Sequence, residues 1–310
     1  MRVELKTIMC TTDFSDYSNH AVSYATALAQ EFKAKLYICH IVDLTSAAIY
    51  GDALPAIQDQ VGVMTLYAKE QLEGLMKDRR VDWEPVIAGG HASAEIARIA
   101  SENGVDLIVS ATQGRTGLKR LVLGSVTERL MRTVPCPMLV VRSPEQGLPV
   151  PPEEVLNLKR IVAAYDFSPD SARAFQYGLS LAQEFQSELH LVHVIEPGEY
   201  EDILKPSKES GQKVEKALGH KLDEQLAAMV PDEAKRWCSP VTALLAGLPH
   251  EEITKYAVLH DMDLIVMGVR GTSLVEGLLV GSTTDRVIRH APCPVLSVSP
   301  ALSGDGKPRD

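Results

Sequence analysis

Short apolar runs alternate with amphipathic stretches along most of the chain. The first run, residues 6–10, is followed by residues 18–32, in which apolar residues recur at helical spacing. The same alternation continues as far as residue 298. Continuous apolar strands separated by helices are typical of a parallel sheet that helices cover on both faces. The pattern therefore predicts an α/β fold.

The predicted elements form two similar series. In the first series, strands are predicted at residues 6–10, 36–42, 82–87, 105–110 and 138–141. Helices are predicted between them at residues 18–32, 58–77, 93–103 and 125–133. In the second series, strands are predicted at residues 160–164, 189–195, 241–245, 263–267 and 295–298. Helices are predicted there at residues 168–185, 208–229, 249–260 and 282–290.

An internal duplication explains the two series. Residues 11–43 match residues 164–196, so that Asp13 aligns with Asp166. Glycines later in each copy align as well, for example Gly124 with Gly281. A repeat of roughly 155 residues is too long for a solenoid unit, so it indicates two copies of a whole domain.

The domain boundaries are predicted where the periodicity stops. A proline-rich stretch separates the two copies, and we place the domains at residues 1–143 and 158–300 with a linker at 144–157. The tail, residues 301–310, is expected to be disordered.

The chain order of the strands predicts where a ligand would bind. Right-handed crossovers would give each copy a doubly wound parallel sheet. We expect this sheet to have five strands in the order 3-2-1-4-5. Ligands of such sheets bind past the carboxyl ends of the strands, at the point where the strand order reverses. Asp13 and Asp166 end the first strand of each copy, and a glycine-rich loop ends the fourth. We therefore expect these two features to lie side by side.

The glycine-rich loop of the second copy has the features of an anion site. Its strand runs into Gly268 and then Gly271, and Gly281 with Ser282 follows after nine further residues at a helix start. The missing side chains would let a ligand approach the backbone, and the amino end of a helix attracts phosphate. Ser282 is predicted to cap this helix, with Asp285 at the capping-box position.

The first copy repeats the loop with one change. Gly114, Gly124 and Ser125 stand in register, but Ala111 replaces the first glycine. Ser125 and Glu128 form the S-x-x-E sequence of a capping box. The methyl group of Ala111 would either clash with a phosphate or be harmless if this residue only turns the chain.

Composition restricts the classes of partner. The 310-residue chain has a net charge of −10, so we do not expect it to bind nucleic acid. No apolar run approaches the ~20 residues needed to cross a bilayer, and the first ten residues lack a secretory signal. We therefore expect a soluble, cytoplasmic protein. Its five cysteines lack CxxC spacing and are expected to be small core residues.

Catalytic motifs do not stand out. His40 and His193 lie within apolar strands, where a hydrogen-bonded core histidine is the more common case. The chain has no P-loop, dinucleotide-binding, zinc-protease or serine-hydrolase motif. A phosphate cradle without an evident catalytic base favours binding, or very slow hydrolysis.

Three pieces of sequence together resemble the universal stress protein family, here as a tandem of two such domains. They are the first-strand endings T-T-D-F-S and A-Y-D-F-S, the second-strand endings H-I-V-D and H-V-I-E, and the glycine motif. The resemblance covers nearly the whole chain and implies an adenine nucleotide alpha hydrolase-like fold. Family members that bind ATP carry G-2x-G-9x-G-S/T, which the second copy matches fully.

The resemblance implies an arrangement of nucleotide. The aspartates would lie near the adenosine, the second-strand residues would contact it through their backbone, and the glycines and serines would hold the phosphates. The predicted nucleotide-binding residues are Asp13, Ile41, Gly114, Gly124 and Ser125 in the first copy, and Asp166, Val194, Gly268, Arg270, Gly271, Gly281 and Ser282 in the second. Similar proteins bind ATP or AMP, often with Mg²⁺, and often pair through the fifth strand. Here the fused domains could form that pair within one chain, and a homodimer is a further option.

Three functions remain open on this sequence. The first is a regulatory stress protein that binds adenine nucleotide in both copies. The second is a slow ATPase or phosphotransferase using the same sites. The third is an interaction scaffold whose cradles bind nothing, because not all members of the family bind nucleotide.

Overall fold

The computed structural model describes residues 3–42, 54–113, 123–142, 155–196, 211–238, 240–270 and 280–299, with the backbone alone for residues 54–60 and 211–218. The chain divides into two compact units, which we call the first unit (Glu4–Leu156) and the second unit (Asn157–Pro300). Most of the predicted linker and all of the predicted tail lie outside the described residues. The proposed domain boundaries therefore stay predictions.

Strands and helices alternate in each unit. The elements of the first unit are β1 (Thr7–Thr11), α1 (Asp16–Phe32), β2 (Lys35–Val42), α2 (Leu54–Met76), β3 (Trp83–Gly89), α3 (Ala92–Glu102), β4 (Leu107–Ala111), α4 (Ser125–Thr133) and β5 (Met138–Val141). Those of the second unit are β6 (Arg160–Ala164), α5 (Pro169–Phe185), β7 (Glu188–Ile195), α6 (Gly211–Met229), β8 (Val241–Ala246), α7 (Pro249–Leu259), β9 (Leu264–Gly268), α8 (Ser282–His290) and β10 (Val295–Val298). Each predicted element is present, with ends shifted by a few residues at most.

Both units contain the predicted sheet. The strand order is β3-β2-β1-β4-β5 in the first unit and β8-β7-β6-β9-β10 in the second. Every neighbouring pair within a unit is parallel. This confirms the doubly wound fold with the order 3-2-1-4-5. The central strands are buried after their first residue, as Ile8 and Ile108 show at 0 % exposure, because helices lie on both faces.

A carboxylate fixes the entry to the first strand of each unit. One side-chain oxygen of Asp106 accepts hydrogen bonds from the backbone N–H groups of Lys6 (2.8 Å) and Thr7 (2.9 Å). Asp263 binds the backbone N–H groups of Lys159 (2.7 Å) and Arg160 (2.9 Å) in the same way. The aspartate before each fourth strand thus joins that strand to the start of the first.

The cysteines fit the prediction of core residues in part. Cys10, Cys39 and Cys136 are buried, whereas Cys238 and Cys293 are partly exposed. Burial raises the pKa of Cys39 and of Cys136 to about 12, so neither thiol is ionised at neutral pH.

Among the helices that the structure describes, none combines the length and the apolar character needed to span a membrane.

A buried histidine of the second unit lies among polar and charged groups. His190 is 4 % exposed, with Nδ1 2.8 Å from the Tyr256 hydroxyl and Nε2 3.1 Å from Oε1 of Glu188. The ring of His260 lies 4.1 Å from that of Tyr256, and Nε of Arg160 lies 3.4 Å from Glu188. Burial lowers the pKa of His190, and the neighbouring Glu188 carboxylate offsets part of this effect.

This lowered pKa predicts a loss of stability in acid. An unfolded histidine has a pKa of about 6.5, so below that pH the unfolded chain binds a proton that folded His190 resists. The stabilisation is therefore present above about pH 6.5 and is lost as the pH falls. We expect the melting temperature to drop between about pH 7.5 and about pH 5.5, and to drop by roughly 2 °C less in His190→Gln.

Thermal unfolding followed by circular dichroism measures this difference. His220→Gln is the matched control, because the side chain of His220 is 77 % exposed. The control should lose as much stability as the wild-type chain. Equal losses in the wild-type chain and in His190→Gln would contradict the prediction.

Candidate functional site

One cavity in each unit lies past the carboxyl ends of the central strands. The first cavity is bounded by the ends of β1, β2 and β4 and by the starts of α3 and α4. The second cavity has the equivalent boundaries in the second unit. Predicted site residues that line these cavities are Asp13, Ile41, Gly124, Ser125, Asp166, Val194, Gly268, Arg270, Gly281 and Ser282. Gly114 and Gly271 lie outside the described residues.

The predicted serine caps are wrong. Helix α4 begins at Ser125 and α8 at Ser282, so each serine is the first helical residue, and Gly124 and Gly281 occupy the cap positions. Neither cap makes a side-chain hydrogen bond. The acidic residues predicted for the capping boxes bind arginines one turn later instead, Glu128 with Arg132 at 2.6 Å and Asp285 with Arg289 at 2.8 Å.

The starts of α4 and α8 present main-chain donors to the cavities. The first helical bond of α4 runs from the Glu128 N–H to the Gly124 carbonyl (2.9 Å). The amides of Ser125, Val126 and Thr127 precede that bond, and all three residues line the first cavity. Ser282, Thr283 and Thr284 line the second cavity in the same way. Three amides and the positive end of the helix dipole suit a negatively charged group.

Threonine hydroxyls fasten these helix starts to the sheet. The side chain of Thr127 donates to the carbonyl of Ala111, and that of Thr284 to the carbonyl of Gly268, both at 2.8 Å. Both threonines are buried. Sequence reasoning missed them, although the sequence G-S-x-T occurs in both copies.

The aspartates at the ends of the first strands hold the caps of the following helices. Oδ1 of Asp13 accepts hydrogen bonds from Ser15 N (3.0 Å) and Ser15 Oγ (2.5 Å), and Ser15 itself caps α1. Asp166 binds Ser168 at the same two distances, and Ser168 caps α5. The aspartates therefore do not cap the helices themselves. Each is oriented by the serine and lines its cavity.

The backbone after the second strand also faces the cavity. The carbonyl of Cys39 accepts the last bond from the first strand, donated by Thr12 N at 2.9 Å. Residues two apart on a strand direct their backbone groups to the same side, so Ile41 directs its N–H and carbonyl beyond the end of β1. In the second unit, Tyr165 N donates to the carbonyl of Val192 at 2.8 Å. Val194 therefore has the same position relative to its first strand as Ile41 has. One donor beside one acceptor suits the edge of a nucleobase.

Two phenylalanines with left-handed backbone lie beside the cavities. Phe14 has φ 64° and Phe167 has φ 62°, a conformation that costs a side-chain-bearing residue about 1–3 kcal/mol. Their rings lie 4.4 Å from His40 and 4.9 Å from His193, respectively. Sequence reasoning missed these residues, and the only signal was the repetition of D-F-S.

The strand histidines have the structural role that was expected. Nδ1 of His40 lies 2.8 Å from the Thr12 carbonyl, and Nδ1 of His193 lies 2.7 Å from the Tyr165 carbonyl. Each histidine therefore supports the turn that follows the first strand of its unit.

Among the described residues, one charged position differs between the two cavities. Arg270 lines the second cavity, and the uncharged Gln113 lines the first at the equivalent position. Burial raises the pKa of the neighbouring Asp170, while the charge of Arg270 and its backbone N–H offset part of this effect. Among the described residues, no group of three or more His, Cys, Asp or Glu side chains could hold a metal ion.

Comparison with known proteins decides the family. A profile of the universal stress protein family matches residues 4–142 and 157–299, which together form most of the chain. The chain belongs to the universal stress protein family.

Relatives of this universal stress protein occur with one domain and with two. A universal stress protein of Methanocaldococcus jannaschii is 35 % identical over 147 residues, which cover 46 % of this chain and 84 % of that protein. One from Synechocystis is 24 % identical over 325 residues, covering 94 % of this chain and 99 % of that protein. The crystal structure of a universal stress protein from Archaeoglobus fulgidus shares the fold, with a TM-score of 0.66, 20 % identity, and coverage of 96 % of this chain and 99 % of that one.

Packing explains the first glycine of the motif in this universal stress protein. A Cβ atom on Gly268 would lie 2.9 Å from the carbonyl carbon and the Cβ of Asp170, and 3.0 Å from the nitrogen of Ser171. That direction leads to the start of α5. The methyl group of Ala111, at the equivalent position of the first unit, is consequently expected to face α1 rather than a bound phosphate. Its presence does not argue against a first site.

The contact predicts that Gly268→Ala is destabilising. The added methyl group must displace backbone atoms of α5, and such overpacking costs about 1–3 kcal/mol. Gly74→Ala in α2 is the control, because a Cβ there meets no atom within 4 Å and should stabilise the helix by about 1 kcal/mol. Urea unfolding measures both changes. A Gly268→Ala chain as stable as wild type would contradict the packing argument.

Proposed function

We propose that this universal stress protein binds one adenine nucleotide in each unit and acts as a regulatory protein of the stress response. One observation carries the proposal: the first three residues of a helix, whose amides precede the first helical hydrogen bond, line the same cavity as the backbone at the end of the second strand. This occurs once in each unit. Phosphates would occupy the helix start, and the adenine edge would pair with the backbone of Ile41 or Val194.

The described residues support binding more strongly than catalysis. His40 and His193 hold backbone carbonyls through Nδ1, and Oδ1 of Asp13 and of Asp166 holds a capping serine. These groups are engaged in shaping the cavity. A Mg²⁺ ion would fit the proposal as a companion of the phosphates, since that ion commonly binds through phosphate oxygens and few protein ligands. Pairing of the units, or of two chains, remains a prediction.

The proposal predicts that removing one amide from each helix start weakens nucleotide binding. In Ser125→Pro/Ser282→Pro the proline lacks the N–H and places its ring where the phosphate would bind. Proline is favoured at the first helical position, and α5 and α7 already begin with proline. The preceding glycines have ψ values of 139° and 138°, which the residue before proline prefers. The helices should therefore persist.

We expect the affinity for ATP to fall by about tenfold or more, because hydrogen bonds to charged groups are strong. Isothermal titration calorimetry measures this loss. Ser125→Ala/Ser282→Ala is the matched control, which removes the hydroxyls but keeps the amides, and it should lose less affinity. An unchanged affinity in the proline variant would show that phosphates do not bind at these helix starts.

A further inference from the structure

The central parts of the two cavities differ in chemistry. Thr11 and Ser110 lie where β1 and β4 end, and we call these two residues the floor of the first cavity. The equivalent floor of the second cavity is Ala164 and Met267. In the first cavity the Thr11 hydroxyl donates to Ser110 Oγ at 3.0 Å, and Ser110 Oγ lies 3.3 Å from the hydroxyl oxygen of Thr127.

The fold does not require these hydroxyls. Thr11 and Ala164 are each 9 % exposed, and Ser110 and Met267 are each 4 % exposed, so equivalent positions have equal burial. The second unit builds the same strand order with apolar side chains there. Buried hydroxyl groups cost free energy unless they are hydrogen-bonded, and apolar groups at such positions pack without that cost. The contacts of Ser110 Oγ with the hydroxyls of Thr11 and Thr127 meet that condition, so the fold tolerates the hydroxyl floor, and the apolar floor of the second unit shows that the fold does not require it.

The floor lies where the sugar of a nucleotide would be, an argument that rests on the proposed function. Phosphates at the start of α4 and adenine at Ile41 leave the ribose above the ends of β1 and β4, between those two positions.

We propose that the first cavity recognises a ribose hydroxyl through Thr11 and Ser110, and that the second cavity does not distinguish ribose from deoxyribose in this way. Each floor hydroxyl has oxygen lone pairs that can accept from a sugar O–H. Ala164 and Met267 supply no equivalent oxygen. The two halves of the chain then differ in ligand selectivity, although they share one fold and one phosphate cradle.

The test compares ATP with 2′-deoxy-ATP and 3′-deoxy-ATP on full-length chains by calorimetric titration. Ser282→Pro weakens the second cavity, so titration of this variant measures the affinity of the first. Ser125→Pro weakens the first cavity and measures the affinity of the second. The nucleotide concentrations are chosen to leave the weakened cavity empty. In the first cavity we expect at least one deoxynucleotide to bind about tenfold more weakly than ATP, because a hydrogen bond is lost. In the second cavity all three should bind within about twofold of one another.

A floor variant and the wild-type chain complete the test. In Thr11→Ala/Ser110→Ala, the first cavity should distinguish ATP from the deoxynucleotides no better than the second cavity does. In the wild-type chain, the ratio of the two affinities should change by about tenfold between ATP and the discriminated deoxynucleotide. Equal deoxynucleotide-to-ATP ratios in both cavities would overturn this inference while leaving the proposed function intact. Absence of ATP binding to the wild-type chain would overturn both.

Discussion

The structure depends on how each unit fixes a helix start at the edge of its sheet. The hydroxyl of Thr127 binds the last carbonyl of β4, and the Gly124 N–H binds the Thr112 carbonyl at 2.7 Å. Thr284 and Gly281 repeat both contacts in the second unit, the latter at 2.8 Å. These bonds hold the helix from its sheet side, so no side-chain cap is needed to position it. The first amides are thereby left directed at the cavity, and an anion can complete their hydrogen bonding.

Comparison of the two copies distinguishes residues that both cavities share from residues that differ between them. Both copies keep an aspartate that orients a capping serine, a phenylalanine with left-handed backbone, and a threonine that anchors the helix start. The left-handed backbone of this phenylalanine is strained, and the chain contains this strained conformation twice. In contrast, the cavity floors have diverged. Under the proposed function, the shared residues would shape a common phosphate cradle, and the divergent residues would set the ligand of each unit separately.

The sequence predicted the architecture well because the relevant physics is local or topological. Apolar runs located the strands, and right-handed crossovers predicted a doubly wound parallel sheet. The capping serines were predicted wrongly because glycine in an extended conformation can itself occupy the cap position, which residue types alone do not reveal. The role of Gly268 was hidden because its close neighbour, Asp170, lies almost a hundred residues away in the sequence. The conformation of Phe14 was also unpredictable, since no property of phenylalanine favours positive φ.

The central claim is that both units carry a working nucleotide cradle. Counting bound nucleotide per chain by equilibrium dialysis with labelled ATP tests it most directly. The account predicts two nucleotides per chain at saturation. Saturation at one would contradict a working cradle in both units, and no binding at millimolar ATP would contradict nucleotide binding altogether.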